Sequence, residues 1–212
     1  MSHTTDLPTD QKNETGCLHL LISVSENFIP SFLGLVRSGF ATQVMVGCSL
    51  QELLRNQLGI DEDYLQNRVQ TIFLNNSPVD DIAAATVTDG ATISLSAAMP
   101  GLNGAVMRRG GLLASLRHSI SHQPDNVCIE QDSGQIKLKL FNLIAKEIGP
   151  DFLARGILAK GRDLAEVLAR QTPRFWQSVK YVEIDNVRYE ADKLRTFQLS
   201  TQDVFLRVRP NR

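Results

Sequence analysis

The sequence has few cysteines, no long apolar run and almost no net charge. The three cysteines, Cys17, Cys48 and Cys128, are an odd number and lie in or beside apolar runs, which favours buried free thiols in a reducing compartment. No apolar run is long enough to cross a bilayer, and residues 1–16 lack the apolar stretch of a signal peptide. With 22 basic and 23 acidic residues, no global field attracts nucleic acid or an anionic membrane. We therefore expect a cytoplasmic protein that binds neither, with a flexible tail at residues 1–16.

Catalytic motifs are also missing. We find no serine, histidine and acid pattern, no phosphate-cradling loop and no paired carboxylates in an apolar setting. His118 and His122 are four residues apart and could share one helical face as metal ligands, but no third ligand is in register. Cys48 precedes a predicted helix and is either an activated thiol or an inert, partly buried one, which is favoured. The sequence predicts a protein that is not an enzyme, with no cofactor and no metal site.

The two halves of the chain repeat each other. A length of 212 residues allows two domains of about 100 residues each, and five blocks recur in the same order. Their offsets drift between 110 and 120 residues, as loop insertions and deletions would produce. The paired blocks are Leu18 and Leu20 with Leu138 and Leu140, "PSFL" at 30–33 with "PDFL" at 150–153, "GCSLQELLRNQ" at 47–57 with "GRDLAEVLARQ" at 161–171, "VQTIFLNN" at 69–76 with "VKYVEIDN" at 179–186, and Ile93 and Leu95 with Val204 and Leu206.

Each repeated block predicts a local structure. Ser49 and Asp163 are good helix N-caps, and Glu52 and Glu166 follow three residues later, so both copies have the capping-box pattern. Apolar residues then recur at i, i+3 and i+4, which is typical of a helix packed on a sheet. Alternating apolar and polar residues before and after each helix predict strands with one buried face. Each half is predicted as strand, strand, helix, strand, short connection and strand.

This order of elements resembles the β-grasp fold of the ubiquitin-like superfamily. In the first half, "SLQELL", "IFLNNSPV" and "TVTDGATISLSAAMPG" resemble the sulfur-carrier branch, which includes the small subunit of molybdopterin synthase and the carrier of thiazole synthesis. In the second half, "DLAEVL" and "VKYVEIDN" match less closely, and "DVFLRVRPNR" is similar to the last strand of ubiquitin. The resemblance implies an α+β protein of two tandem β-grasp domains, each with a mixed sheet of about four strands crossed by one main helix.

The predicted domains span residues 17–101 and 127–212, and residues 102–126 form a connector with a short helix. In the connector, Leu112, Leu113, Leu116 and Ile120 are spaced to pack on a domain face. Residues 132–134, "DSG", read as a hairpin turn. The strand predicted at 127–130 is then either an extra edge strand or the first strand of the second domain.

The resemblance also points to candidate sites. In this superfamily a C-terminal Gly-Gly is adenylated and then joined to sulfur or to a lysine amine. The last residues here contain no glycine; they form a candidate partner-binding strand and tail, although the arginines also fit a solvated strand face. Two internal glycine pairs look like carrier or processing sites that would need cleavage, or else belong to a simple linker. The tail residues are Arg207, Arg209, Pro210, Asn211 and Arg212, and the glycines are Gly101, Gly104, Gly110 and Gly111.

The leading functional hypothesis is a ubiquitin-like protein modifier. Its expected partners are an activating enzyme, a conjugating enzyme, a deconjugating peptidase and a target protein. Its likeness to bacterial tandem modifiers suggests an anti-phage conjugation system. A second hypothesis is a β-grasp interaction module or adaptor that is not conjugated. A third is a sulfur carrier that becomes active after internal cleavage.

Overall fold

The computed structural model describes residues 17–122, 131–199 and 202–211. These residues form one mixed sheet of ten strands with short helices, so the expected α+β class is confirmed. The predicted tail at 1–16 and the predicted strand at 127–130 lie outside the described residues. Within the described ranges, no helix has the length and apolar character to cross a bilayer.

The sheet runs in the order β4-β3-β5-β6-β2-β7-β10-β1-β8-β9. Its strands are β1 (Leu18–Val24), β2 (Phe40–Val46), β3 (Thr71–Leu74), β4 (Ser77–Pro78), β5 (Thr92–Ser96), β6 (Asp132–Leu140), β7 (Ile157–Lys160), β8 (Tyr181–Ile184), β9 (Val187–Tyr189) and β10 (Asp203–Pro210).

The helices are short, and several follow or precede a strand almost directly. The α-helices are α1 (Leu33–Ser38), α2 (Leu50–Glu52), α3 (Glu62–Asn67), α4 (Gly101–Met107), α5 (Asn142–Glu147), α6 (Gly149–Arg155), α7 (Gly161–Ala169), α8 (Pro173–Ser178) and α9 (Ala191–Thr196). A wider π-helical turn at Leu53–Gln57 continues α2, and 3-10 helices span Glu26–Phe32 and Ala114–Arg117.

The repeat is visible in two matching turns. Asn75 and Asn76 join β3 to β4, Asp185 and Asn186 join β8 to β9, and all four have positive φ. Two consecutive residues of positive φ are the backbone requirement of a tight hairpin turn, and Asn and Asp tolerate it better than most residues. The side chain of Asn75 accepts a hydrogen bond from the first backbone N–H of β5, and that of Asp185 accepts one from β1. The turn after β8 therefore bonds to the neighbouring strand β1 in the same way as the turn after β3 bonds to the neighbouring strand β5.

The two halves exchange strands. Among the described strands, β1 pairs with β8 and β10 rather than with β2, and β6 lies between β2 and β5. Each half therefore supplies a central strand to the other, and one apolar core runs through both. The division into tandem domains at 17–101 and 127–212 stays a prediction. Domains with these bounds would each contribute one strand to the sheet of the other.

The predicted hairpin at residues 132–134 is wrong. These residues lie inside β6 and pair with Val44, Met45 and Val46 of β2. Gly134 is buried, and a Cβ there would press against Val46 and Asp89. The residue was read as a turn signal, but in the structure the glycine lets the backbone of β6 approach its neighbours closely.

Only one of the two predicted N-caps is confirmed. The hydroxyl of Ser49 accepts a hydrogen bond of 3.1 Å from the backbone N–H of Glu52. Asp163 is not a cap, because α7 begins earlier, at Gly161, and Asp163 lies within its first turn. A Cβ at Gly161 would collide with the backbone of Leu199, so α7 begins at a close backbone contact and has no capping side chain.

Replacing Ser49 by alanine is expected to lower the free energy of unfolding by about 1 kcal/mol, because the Glu52 N–H loses its partner. Asp163→Ala is the matched control from the other repeat, and we expect it to cost only a few tenths of a kcal/mol. Urea unfolding of both variants measures the difference. Equal losses would contradict this assignment of the helix starts.

Candidate functional site

The predicted C-terminal tail is part of the sheet. β10 lies between β1 and β7, and Pro210 is in register with Val24. Asn211 donates its backbone N–H to the Val24 carbonyl at 2.9 Å and its side-chain amide to the Ser178 carbonyl at 2.8 Å. The hydroxyl of Ser23 donates to the Asn211 amide oxygen at 2.8 Å. The chain is therefore held in place as far as Asn211, while Arg212 lies outside the described residues.

The two predicted glycine sites are folded against the first half of the chain. Gly101 begins α4, and Gly104 packs against the backbone of Met99, where a Cβ would collide. Gly110 donates its N–H to the Asp80 carboxylate at 3.0 Å, and the Gly111 N–H bonds to the Arg108 carbonyl. A protease would meet a helix at the first site and a hydrogen-bonded turn at the second.

A buried arginine anchors the predicted connector. The Arg117 side chain is 1% exposed and forms a two-point ion pair with Asp80, with N···O distances of 2.8 and 3.0 Å. It also donates to the carbonyl of Val106 at 2.7 Å and to the Ser121 hydroxyl at 2.7 Å. These contacts fix residues 106–121 to the loop that carries Asp80.

The predicted packing of the connector leucines is wrong. Leu112 is 99% exposed, Leu116 69% and Ile120 51%, while Leu113 is half-buried. Regular helix in this stretch is limited to Ala114–Arg117, so the four-residue spacing does not form a helical face that could turn inward. Leu102 on α4 is also 70% exposed. We call Leu102, Leu112, Leu116 and Ile120 the connector apolar surface.

A second surface lies on the side of the sheet opposite the core. Strand pairing places five residues in a row across five adjacent strands. Because residues that pair directly point to the same face of a sheet, these side chains lie side by side. The row runs Lys137, Ala41, Leu158, Phe205 and His19.

This row forms much of the floor of an open cavity of about 590 Å³. Phe205 and His19 are in ring contact, with centroids 5.3 Å apart. Gly156 has a φ of +122°, and a Cβ there would collide with the Phe205 ring, so the glycine makes room for the ring over β7. Gln43 and Gln135 also line the cavity. We call this cavity, together with Lys137 and Arg207 at its borders, the sheet groove.

The charges around the sheet groove are mainly positive. Two carboxylates on this face are paired, Asp203 with Lys160 at 2.9 Å and Glu183 with Arg188 at 2.9 Å. A third, Asp185, accepts a hydrogen bond from the backbone N–H of His19 and forms no ion pair among the described residues. Lys137, Lys139 and Arg207 lie on the same face and form no ion pair within the described part of the chain. An excess of positive charge therefore borders an apolar floor.

The remaining candidates are two thiols and a pair of histidines. Burial, followed by the nearby Glu52 carboxylate, raises the pKa of the Cys48 thiol, which keeps it protonated. Burial also raises the pKa of Cys17. His118 and His122 lie beyond the end of the 3-10 helix, and no group of three metal-ligating side chains occurs among the described residues.

The sequence identified one residue of the sheet groove border, Arg207, but missed the floor. The alternation of Phe205 and Arg207 with buried Val204, Leu206 and Val208 shows which side chains share the open face. Their neighbours on the other strands depend on the exchange of β1 and β6. No local sequence pattern indicates that exchange.

Comparison of the chain with models of known protein families, with curated proteins and with solved structures found no match.

Proposed function

We propose that this chain is a protein-interaction module that is not conjugated, and that the connector apolar surface is where it docks a partner protein. The observation that carries the proposal is the exposure of Leu102, Leu112, Leu116 and Ile120 on a segment that buried Arg117 holds in place. Large apolar side chains exposed on neighbouring elements, here α4 and the 3-10 helix at Ala114–Arg117, are typical of interaction sites.

The anchoring matters because a rigid surface loses little conformational entropy when it binds. Arg117 fixes residues 106–121 through its bonds to Asp80, Val106 and Ser121, which leaves the leucines facing water in a defined backbone. Burying one leucine or isoleucine side chain contributes about 1.5–3 kcal/mol. Burial of these side chains against an apolar patch on a partner would therefore favour binding.

The protein modifier ranks second. The "FLRVR" sequence of β10 is its support, and a modifier needs a C-terminal segment that can enter the active site of an activating enzyme. The three hydrogen bonds of Asn211 would have to break for the preceding strand to take part. Of the glycine sites of a sulfur carrier, Gly101 and Gly104 lie in α4, and Gly110 and Gly111 lie in a hydrogen-bonded turn.

A photo-crosslinking amino acid at position 112 or 116 is expected to capture a partner protein in the producing cell, because both side chains face solvent on the anchored connector. The same amino acid at Asp192, an exposed position on α9, is the control. Gel analysis and mass spectrometry should show a discrete heavier species that is at least about tenfold more abundant than at the control position. Equal capture at all three positions would contradict the proposal. An ATP-dependent adenylate or conjugate of the full chain would favour the modifier instead.

A further inference from the structure

The sheet groove differs from the connector apolar surface because its apolar floor has charged borders. Ala41, Leu158 and Phe205 provide the apolar floor, and the polar side chains of Gln43 and Gln135 line one part of the wall. The floor crosses the strands, so an extended chain lying on it contacts one side chain from each of several strands. Such a floor accommodates an extended peptide better than a compact small molecule.

The borders lack counter-ions. Lys137 stands next to Ala41 at one end of the row, and Arg207 follows Phe205 by two residues on the same strand face near the other end. Neither forms an ion pair within the ranges that the structure covers, although Asp203 and Glu183 on this face are both paired. The Asp185 carboxylate, bonded to the His19 backbone at the other end of the row, offsets only part of this positive charge. The charge of the whole chain is −1, so this positive surface is a local feature.

Arg207 also has an unsatisfied donor. Its Nε atom is shielded from solvent and has no hydrogen-bond partner among the described residues. A buried donor without an acceptor costs about 1–3 kcal/mol, and a carboxylate is the acceptor that a guanidinium binds most strongly. Because the Nε atom is shielded, a ligand carboxylate would bind the terminal guanidinium nitrogens of the partly exposed Arg207 side chain.

The aromatic rings favour a peptide over a single-stranded nucleic acid. Nucleic-acid-binding sheets offer ring faces on which bases stack. Here the guanidinium of Arg188 covers the Tyr181 ring at 3.8 Å from its centroid, and Phe205 is engaged with His19 and with the backbone at Gly156. The apolar floor is therefore better suited to aliphatic side chains.

We infer that the sheet groove binds an extended acidic peptide segment of a partner protein, with aliphatic side chains on Ala41, Leu158 and Phe205 and carboxylates on Lys137 and Arg207. This site is separate from the connector apolar surface and does not depend on it, so either proposal can fail while the other stands.

The test uses the full chain and a fluorescein-labelled 12-residue peptide in which glutamate alternates with leucine or valine. Fluorescence anisotropy should show binding of this peptide, with at least tenfold weaker binding of a peptide in which lysine replaces glutamate. The double variant Lys137→Gln, Arg207→Gln should weaken binding of the acidic peptide about tenfold or more. Raising the salt concentration from about 0.05 to about 0.5 M should also weaken binding of this peptide to the wild-type protein.

Arg162→Gln, Arg170→Gln is the matched control, since it removes the same charge at α7 and the residue that follows it and is expected to change affinity less than twofold. Leu158→Asp tests the floor independently and should abolish binding, while circular dichroism confirms that each variant is folded. Three results would overturn the proposal: equal binding of the acidic and basic peptides, equal losses in the test and control variants, or tighter binding of a 12-nucleotide oligo-dT. A dimer that Leu158→Asp converts to a monomer would also overturn it, because a second copy would then occupy the groove.

Discussion

Expressed alone, residues 17–122 are expected to remain unfolded. In the full chain, β1 lies between β8 and β10, and β6 fills the space between β2 and β5. The isolated fragment has β1 without either neighbour and a gap of one strand in its remaining sheet, so apolar side chains such as Leu20, Ile22 and Ile93 lose their cover. We expect poor dispersion in the amide spectrum and no cooperative urea transition, and the same for residues 131–211.

The control is a full chain with a protease site introduced into residues 123–130. After cleavage, the two pieces should elute together and unfold in one transition, because the exchanged strands hold them in a single sheet. Tandem domains that fold independently predict the opposite result, namely two separable pieces that each unfold cooperatively. A folded 17–122 fragment would therefore contradict the exchanged arrangement.

Replacing Arg117 by alanine is expected to lower the free energy of unfolding by about 3 kcal/mol. Removing one member of a buried ion pair costs about 3–5 kcal/mol. The lower end applies here because the Asp80 side chain is 41% exposed. The loss also leaves the Val106 carbonyl without its donor. Urea unfolding measures the effect, and Arg170→Ala, at the exposed residue that follows α7, should change stability by less than about 0.5 kcal/mol. A similarly small effect at Arg117 would show that its contacts contribute little.

The contacts of Asp80 with Arg117 and Gly110 predict that the stability of the protein depends on pH. Burial raises the pKa of Asp80, but hydrogen bonds from Arg117 and from the Gly110 N–H, together with the charge of Arg117, outweigh it, so the pKa lies below its usual value. Since the pKa is lower in the folded state, this stabilisation is complete above the unfolded value of about 4 and is lost as the pH falls through the folded pKa. The stability difference between the wild type and Asp80→Asn should therefore shrink between about pH 6 and about pH 3. A constant difference would contradict the assigned role of the carboxylate.

Local structure could be predicted from the sequence where the cause is local. Ser49 caps a helix through a bond three residues away, and the turns at Asn75 and Asp185 need only residues that tolerate positive φ. The α+β class follows from such elements. Strand pairing could not be predicted, because the apolar alternation of β1 fits any partner with a buried face, and its hydrogen bonds go to residues more than 150 positions away.

The surfaces were harder to predict, because charged residues are usually exposed and apolar residues usually buried, and here the reverse holds at several positions. Arg117 looks like a solvated residue in sequence but is buried, since Asp80 is brought close by the fold. Leu112 and Leu116 have the spacing of core residues but are exposed, because the backbone there forms turns and a short 3-10 helix. Only the tertiary structure distinguishes these cases.

The exchanged first strand has a consequence for synthesis on the ribosome. Leu18 pairs with Val204, 186 residues later in the chain, and a ribosome adds about 5–20 residues per second. β1 therefore leaves the exit tunnel on the order of ten seconds or more before its partner exists. During that interval its apolar face and unpaired backbone groups are open to any binding protein that recognises extended apolar segments. Production of this protein is accordingly expected to depend more strongly on chaperones that act on nascent chains than production of a chain whose first strand closes a hairpin.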